Sequence, residues 1–350
     1  WEANPFYLNR RANDMFRTKL ILFLTITLFQ NILHGDLNIY THRHYDSDKI
    51  LFQKFTDFTG IEINIIKGSA DQLIQRLESE GMNSPADILL TVDAGRLHRA
   101  KNKGLLQSIS SDVLIQNIPE SMRDKDNYWF GLSVRARVIV YSKDRVNKQE
   151  LSSYEDLANP KWKGRLAIRS SNNIYNQSLL ASIIAANGSS EALKWVKSVR
   201  ENMARKPRGN DRDQIRAVAS GIADIGVVNT YYVGLLENSS NGNDVKVAEK
   251  VAIFFPNQND RGTHINVSGG GVTKSSKNKS EAIFFLEFLT LESSQNTFAK
   301  NNYEYPLRFN KKNSDLISKW GNFKLDKIHL SKLGENNAEA VKLFDKAAWE

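Results

Sequence analysis

The chain has 350 residues, 41% of them hydrophobic and 25% charged, enough apolar material for at least one large core and, at this length, for two. It contains no cysteine, which excludes disulfides, thiolate metal sites, iron–sulfur clusters and cysteine nucleophiles, so any metal must be held by oxygen or nitrogen. Lys and Arg number 48 against 39 Asp and Glu, but the excess is scattered with no run of five or more basic residues, so a solvated basic surface accounts for it and nucleic acid is not an expected partner.

The first 35 residues differ from the rest. Arg17 and Lys19 precede the apolar run Leu20 to Phe29, the layout of a secretory signal peptide. At roughly ten residues the run is well short of the ~20 needed to anchor in a bilayer. Cleavage near residue 36 is therefore expected, with Trp1 to Asp14 lying ahead of Met15 and carrying no fold; a single buried helix is the plain structural alternative.

After Gly35 the pattern becomes strand, loop, helix. Leu37 to Thr41 reads as a short strand, and Asp46 to Phe58 carries Ile50, Leu51, Phe55 and Phe58 at helical spacing. Ile61 to Ile66 with Asp71 to Ser79, and Asp87 to Val92 with Ala94 to Lys103, repeat the unit, which predicts a parallel sheet with helices on its faces. Val134 to Tyr141, Leu166 to Arg169, Ile222 to Val228 and Val251 to Phe255 supply strands for a second α/β sheet, with helices expected at Gln177 and Tyr231. The segment Gly262 to Val272 contains Gly269, Gly270 and Gly271, which break any helix and mark a turn or a close backbone approach in a crossover between domains. The fold class is therefore α/β in two lobes, because about 315 residues exceed the size at which one core stops growing.

Familiar catalytic motifs fail one by one. GGGVTKS at Gly269 to Ser275 places Thr273 where a phosphate loop needs Gly directly before Lys. Gly131-Leu-Ser133-Val-Arg135 ends wrongly for a nucleophile elbow. The six histidines form no H-E-x-x-H, and only His42 and His44 are close together.

Tyrosine placement is what remains. Tyr45, Tyr175, Tyr231 and Tyr232 each follow a predicted strand and precede or open a helix. In an open α/β sheet that position is the crevice outside the carboxyl ends of the strands, where ligands bind. Helix N-termini there favour negative charge, so phenols ionising below their usual value of about 10 are expected. Amphipathic packing is the bland alternative for each ring. Phenolate is a hard anionic donor suited to a hard trivalent cation, and ferric iron is the natural candidate. With four phenolates Fe(III) leaves a formal charge of −1, and Fe(II) would leave −2 in a partly desolvated cleft.

The segments HRHYDSD (42–48), ADILLTVDAGRLHRAKNKGLLQ (86–107), WFGLSVRARVIVYSKDRV (129–146), NPKWKGRLAIRSSNNIYNQSLLAS (159–182), GIADIGVVNTYYVG (221–234) and GTHINVSGGGVTKSSKN (262–278) resemble the periplasmic ferric-iron-binding proteins, above all the cyanobacterial FutA type. The likeness runs from about Leu37 to Pro306. It implies a two-lobed periplasmic-binding-protein fold with the ligand cleft between the lobes and strand crossovers at the hinge. Lobe 1 would comprise residues 36–133 plus 264–305, and lobe 2 residues 134–263 plus 306–350. The resemblance further implies a monomeric, non-enzymatic receptor that binds Fe(3+) in the periplasm and hands it to the permease of an iron ABC transporter. By motif position Tyr45, Tyr175, Tyr231 and Tyr232 match the family's iron-binding tyrosines, and His44 matches a histidine that serves some members or else only lines the cleft. Arg135, on the alternating strand after Gly131, is a candidate to neutralise the iron–tyrosinate centre or hold an anion, with an ordinary interdomain or solvent-facing arginine as its alternative.

Two other readings stay open on the residues. A receptor of the same fold for an organic solute, such as a polyamine or phosphonate, would use aromatic rings for stacking and show no metal colour. A secreted metalloenzyme would need an open coordination position and a general base, which no Asp, Glu or His constellation supplies.

Overall fold

A computed structural model describes residues 35–43, 45–308 and 315–349. The signal segment expected over residues 1–35 lies outside the described residues except for Gly35, and so does His44. Among the described residues no helix is long and apolar enough to cross a membrane.

Among the described residues eight strands form the scaffold: β1 (Leu37–Thr41), β2 (Ile63–Lys67), β3 (Ile88–Val92), β4 (Phe130–Ser142), β5 (Leu166–Ala167), β6 (Ile225–Asn229), β7 (Val251–Phe254) and β8 (Ile265–Val272). The first four helices are α1 (Asp46–Thr59), α2 (Ala70–Glu80), α3 (Ala94–Asn102) and α4 (Asp112–Asn117), and α5 (Ile174–Glu201), α6 (Asp211–Ala219), α7 (Thr230–Glu237) and α8 (Gly242–Glu249) accompany β5 and β6. The later part of the chain adds α9 (Lys279–Leu289), α10 (Glu292–Asn302), α11 (Asp315–Trp320), α12 (Ser331–Glu335) and α13 (Asn337–Lys346). The expected strand–helix units are present, with ends shifted by a few residues.

The strands run in the order β2-β1-β3-β8-β4-β6-β5, and β7 also pairs with β4. β1, β2 and β3 are parallel, as their alternation with helices requires, and so are β5 and β6. The sheet is mixed, however, and not parallel throughout: β8 is antiparallel to both β3 and β4, and β4 is antiparallel to β6 and β7. The reason lies in β4. Its first half, Phe130 to Ala136, bonds to β8, and its second half, Arg137 to Ser142, bonds to β6 and β7, so one strand passes from one half of the molecule into the other. β4 and β8 are buried along their whole length, as strands covered on both faces should be.

Gly269, Gly270 and Gly271 lie inside β8 and not in a turn. The close-approach half of the expectation holds: a Cβ at Gly269 would stand 2.4 Å from the Phe130 carbonyl oxygen, and one at Gly271 2.5 Å from that of Tyr128. In the first half Phe55 of α1 meets Phe285 and Phe288 of α9 at ring separations of 5.0 and 5.4 Å, which fixes α1 against the sheet. The C-terminal segment, expected in the second lobe, touches both halves. Leu330 N–H bonds to the Ser121 carbonyl, whereas Asn336 and Asn337 bond to Ala181 and Gln177 of α5.

Candidate metal centre

Each candidate tyrosine stands at a helix start. Tyr45 is the residue before α1, Tyr175 is the second residue of α5, and Tyr231 and Tyr232 are the second and third of α7. The strands β1, β5 and β6 end just upstream, so three strand-to-helix connections deliver the rings to one crevice.

There the hydroxyls meet. The Tyr45 hydroxyl donates to that of Tyr231 at 3.5 Å, and the Tyr175 and Tyr231 hydroxyls are 3.4 Å apart. The Tyr232 ring lies against Tyr231 with centroids 4.2 Å apart. Tyr231 is fully buried, and the others open onto a cleft of about 570 Å³ lined also by His42, Arg96, Arg169, Asn210 and Arg212. Tyr45 comes from the first half of the molecule and the other three from the second, so the cluster spans the two.

Tyr45, Tyr231 and Tyr232 are not predisposed to ionise, contrary to the expectation from helix N-termini. Burial pushes the hydroxyls of Tyr45, Tyr231 and Tyr232 well above their ordinary value, and mutual repulsion among the phenolates that would form adds to it. Desolvation in a closed cleft outweighs a partial charge at a helix end.

Arginines surround the rings. Arg135 lies on β4, almost fully buried, with its guanidinium carbon 5.8 and 5.9 Å from the ring centroids of Tyr175 and Tyr231. Its Nη2 contacts Glu304 at 3.5 Å and donates to the Ser268 hydroxyl, whereas its Nε and Nη1 have no hydrogen-bond partner among the described residues. Arg43 packs over Tyr45 at 5.1 Å, bonds both carboxylate oxygens of Asp48 and reaches Glu304. Glu304 is itself fully buried and accepts from Ser133 and Ser268, and its two arginines hold its carboxyl below the ordinary range despite burial. On the second half, Arg137 and Arg169 share Asp211 and both approach Tyr175 to 5.8 Å. Arg135 is thus neither solvent-facing nor an ordinary surface residue.

Sequence reasoning did not find Glu304, Arg43, Arg137, Arg169 or Asp211. Arg43 and Asp48 lie inside the segment HRHYDSD and could have been paired there by their charges. Glu304 has no local signal, because its partners come from β1's exit, β4 and β8. Among the described residues no three His, Asp or Glu side chains come together as a conventional metal cluster. The phenols are the hard oxygen donors that gather at one point of the cleft, and Asp46 is a carboxylate on its lining.

Residues 83–325 match the model of the bacterial extracellular solute-binding proteins. Iron uptake protein A1 of Synechocystis sp. is 50% identical over 315 residues, covering 90% of this chain and 88% of that protein. A Trichodesmium protein of the FutA type, solved in complex with iron and citrate, is 51% identical with a TM-score of 0.88, covering 90% of this chain and 100% of that one. The iron-bound HitA from Pseudomonas aeruginosa is 26% identical with a TM-score of 0.77, over 89% and 99% of the two chains. From a cleft between two α/β halves, a family model matching most of the length and relatives that share half their residues across nine-tenths of it, the chain belongs to the bacterial extracellular solute-binding proteins, in the group of the FutA type.

Proposed function

We propose that this chain captures ferric iron in the interlobe cleft through Tyr45, Tyr175, Tyr231 and Tyr232 and delivers it to the permease of an iron ABC transporter. The observation that carries the reading is the convergence of hydroxyls from both halves, with Tyr231 within 3.5 Å of Tyr45 and Tyr175 and the Tyr232 ring against it. Phenols packed against phenols make poor partners for one another, since contacts of this length are weak hydrogen bonds. A small trivalent cation turns the same arrangement into a stable one by replacing the protons. Relatives named for iron uptake and ferric-iron binding support the choice of cargo.

Arg135 has a defined part in this reading. A guanidinium buried against two of the rings favours their anionic form and offsets the formal −1 of a ferric tetraphenolate centre. A ferrous centre would carry −2 and be opposed by the same desolvation. His44, next to Tyr45 in the sequence, is the further candidate beside the four tyrosines, as a ligand or as lining of the cleft. The lobes are proposed to divide at residues 36–133 plus 264–305 and 134–263 plus 306–350, in a monomer exported to the periplasm with its signal segment removed; intact-mass analysis of exported protein checks the removal.

The reading is tested by mixing purified chain with ferric citrate, desalting, and measuring retained iron and the visible spectrum. One iron per chain with a phenolate-to-iron charge-transfer band is expected. Retention of no iron, together with calorimetric binding of a polyamine or of 2-aminoethylphosphonate, would assign the cleft to an organic solute instead.

A further inference from the structure

Asp93 is the entire connection between β3 and α3, and it turns strand into helix in a single residue. To do so it adopts φ +83° and ψ 119°, a region that side-chain-bearing residues rarely occupy. Such a conformation is strained and persists only where the surroundings over-determine it.

The surroundings here are specific. The Asp93 carboxylate is fully buried and accepts from the Gly95 N–H at 2.9 Å, the Asn266 amide at 2.8 Å and the Ser178 hydroxyl at 2.9 and 2.8 Å to its two oxygens. Asn266 in turn accepts from the Ala94 N–H at 2.9 Å, and the Asp93 N–H bonds to the Val267 carbonyl at 2.8 Å. These partners come from three places. Gly95 and Ala94 belong to the first half, Asn266 to the crossover strand β8, and Ser178 to α5 of the second half. Ser178 is also three residues after Tyr175, so the two share a face of α5. The Asp93–Ser178 contact therefore fixes the helix that carries Tyr175 to the half that carries Tyr45.

We propose that Asp93 and Ser178 form a positioning latch, seated on Asn266, that holds the two halves closed and ties the helix of Tyr175 to the half that carries Tyr45. The proposal rests on the cleft being the ligand site. Neither residue donates to the cargo. The latch acts by making closure favourable and release slow: when the halves part, the buried carboxylate loses its Ser178 donor, and hydrogen bonds to a charged acceptor are among the stronger ones.

The chain has no cysteine, so Met82→Cys and Ile222→Cys, at exposed positions in the two halves, give clean sites for a spin-label pair. In the metal-free protein Ser178→Ala should move the label distances towards longer values. Asp93→Gly should do the same although it relieves the backbone conformation, a pairing that separates the latch from mere stability. In iron-loaded protein Ser178→Ala should leave the visible band in place, because no donor oxygen is touched, and release iron to a chelator about tenfold faster or more. Unchanged distances in both variants, or an unchanged release rate in Ser178→Ala, would overturn the latch. The distance measurement needs no metal, so it judges the latch even if the wild-type chain takes up no iron, a result that would sink the iron reading alone.

Discussion

Tyr154 and Tyr231 are both fully buried, and burial pushes both phenols far above their ordinary value. What surrounds the hydroxyl separates them. Tyr154 donates to the Arg137 carbonyl at 2.5 Å and accepts from the His264 N–H at 3.1 Å, so its oxygen is satisfied by main chain near the point where β4 changes partners. Tyr231 has other phenols, at 3.4 and 3.5 Å. One oxygen is a finished piece of structure, and the other is the one proposed to bind a cation. Burial alone therefore does not mark a metal ligand; the chemistry of the neighbours does.

Substitutions that delete one oxygen from each region sharpen the contrast. Tyr231→Phe keeps the ring and removes a donor, and the loss of ferric affinity should exceed the roughly 100-fold that follows when only a ligand's outer partner is lost. Competition with a chelator measures it; Tyr175→Phe should fall in the same range. The second effect is pH dependence. Tyr45, Tyr231 and Tyr232 hold their protons more tightly than free phenols, so each one that binds iron must release a proton at neutral pH. Affinity should then fall on acidification by about tenfold per pH unit for each proton released, and a flat retention profile between pH 8 and pH 5 would point to carboxylates or a preformed complex as the holder.

Tyr45→Phe tests the span between the halves. Iron should remain on the three tyrosines of the second half with reduced affinity, and small-angle scattering should record less compaction on binding than in the wild type. The smallest effect on iron belongs to Tyr154→Phe. It strands the Arg137 carbonyl and the His264 N–H, so chemical denaturation should show a loss of about 1–3 kcal/mol, with the visible band retained. That makes Tyr154 a measure of structure and not a silent control, although its sequence context reads as remote from the crevice. Tyr128, beside Gly271 at the other end of β3 and β8, supplies the silent one.

The strand–helix units were legible because alternation and helical spacing are local, and so was the address of the four tyrosines, which follows from the order strand, loop, helix. Arg135 was legible from its place on an alternating strand. What escaped was long-range or conformational. The mixed direction of the sheet depends on β8 returning between β3 and β4 more than 170 residues after β3, and of the two readings of the triple glycine, turn or close approach, local sequence could not single out the close approach inside a strand. Glu304 draws its partners from Arg43, Ser133, Arg135 and Ser268, separated by up to 261 residues. For Tyr45, Tyr231 and Tyr232 the pKa expectation failed in sign, because a sequence places a phenol at a helix end without revealing how deeply it is buried.

The most direct measurement is the visible spectrum of ferric-loaded wild type beside Tyr231→Phe and Tyr154→Phe. The account predicts one phenolate-to-iron band shared by the wild type and Tyr154→Phe, and a shifted or absent band in Tyr231→Phe. A Tyr231→Phe protein that keeps the wild-type band and its iron would contradict it.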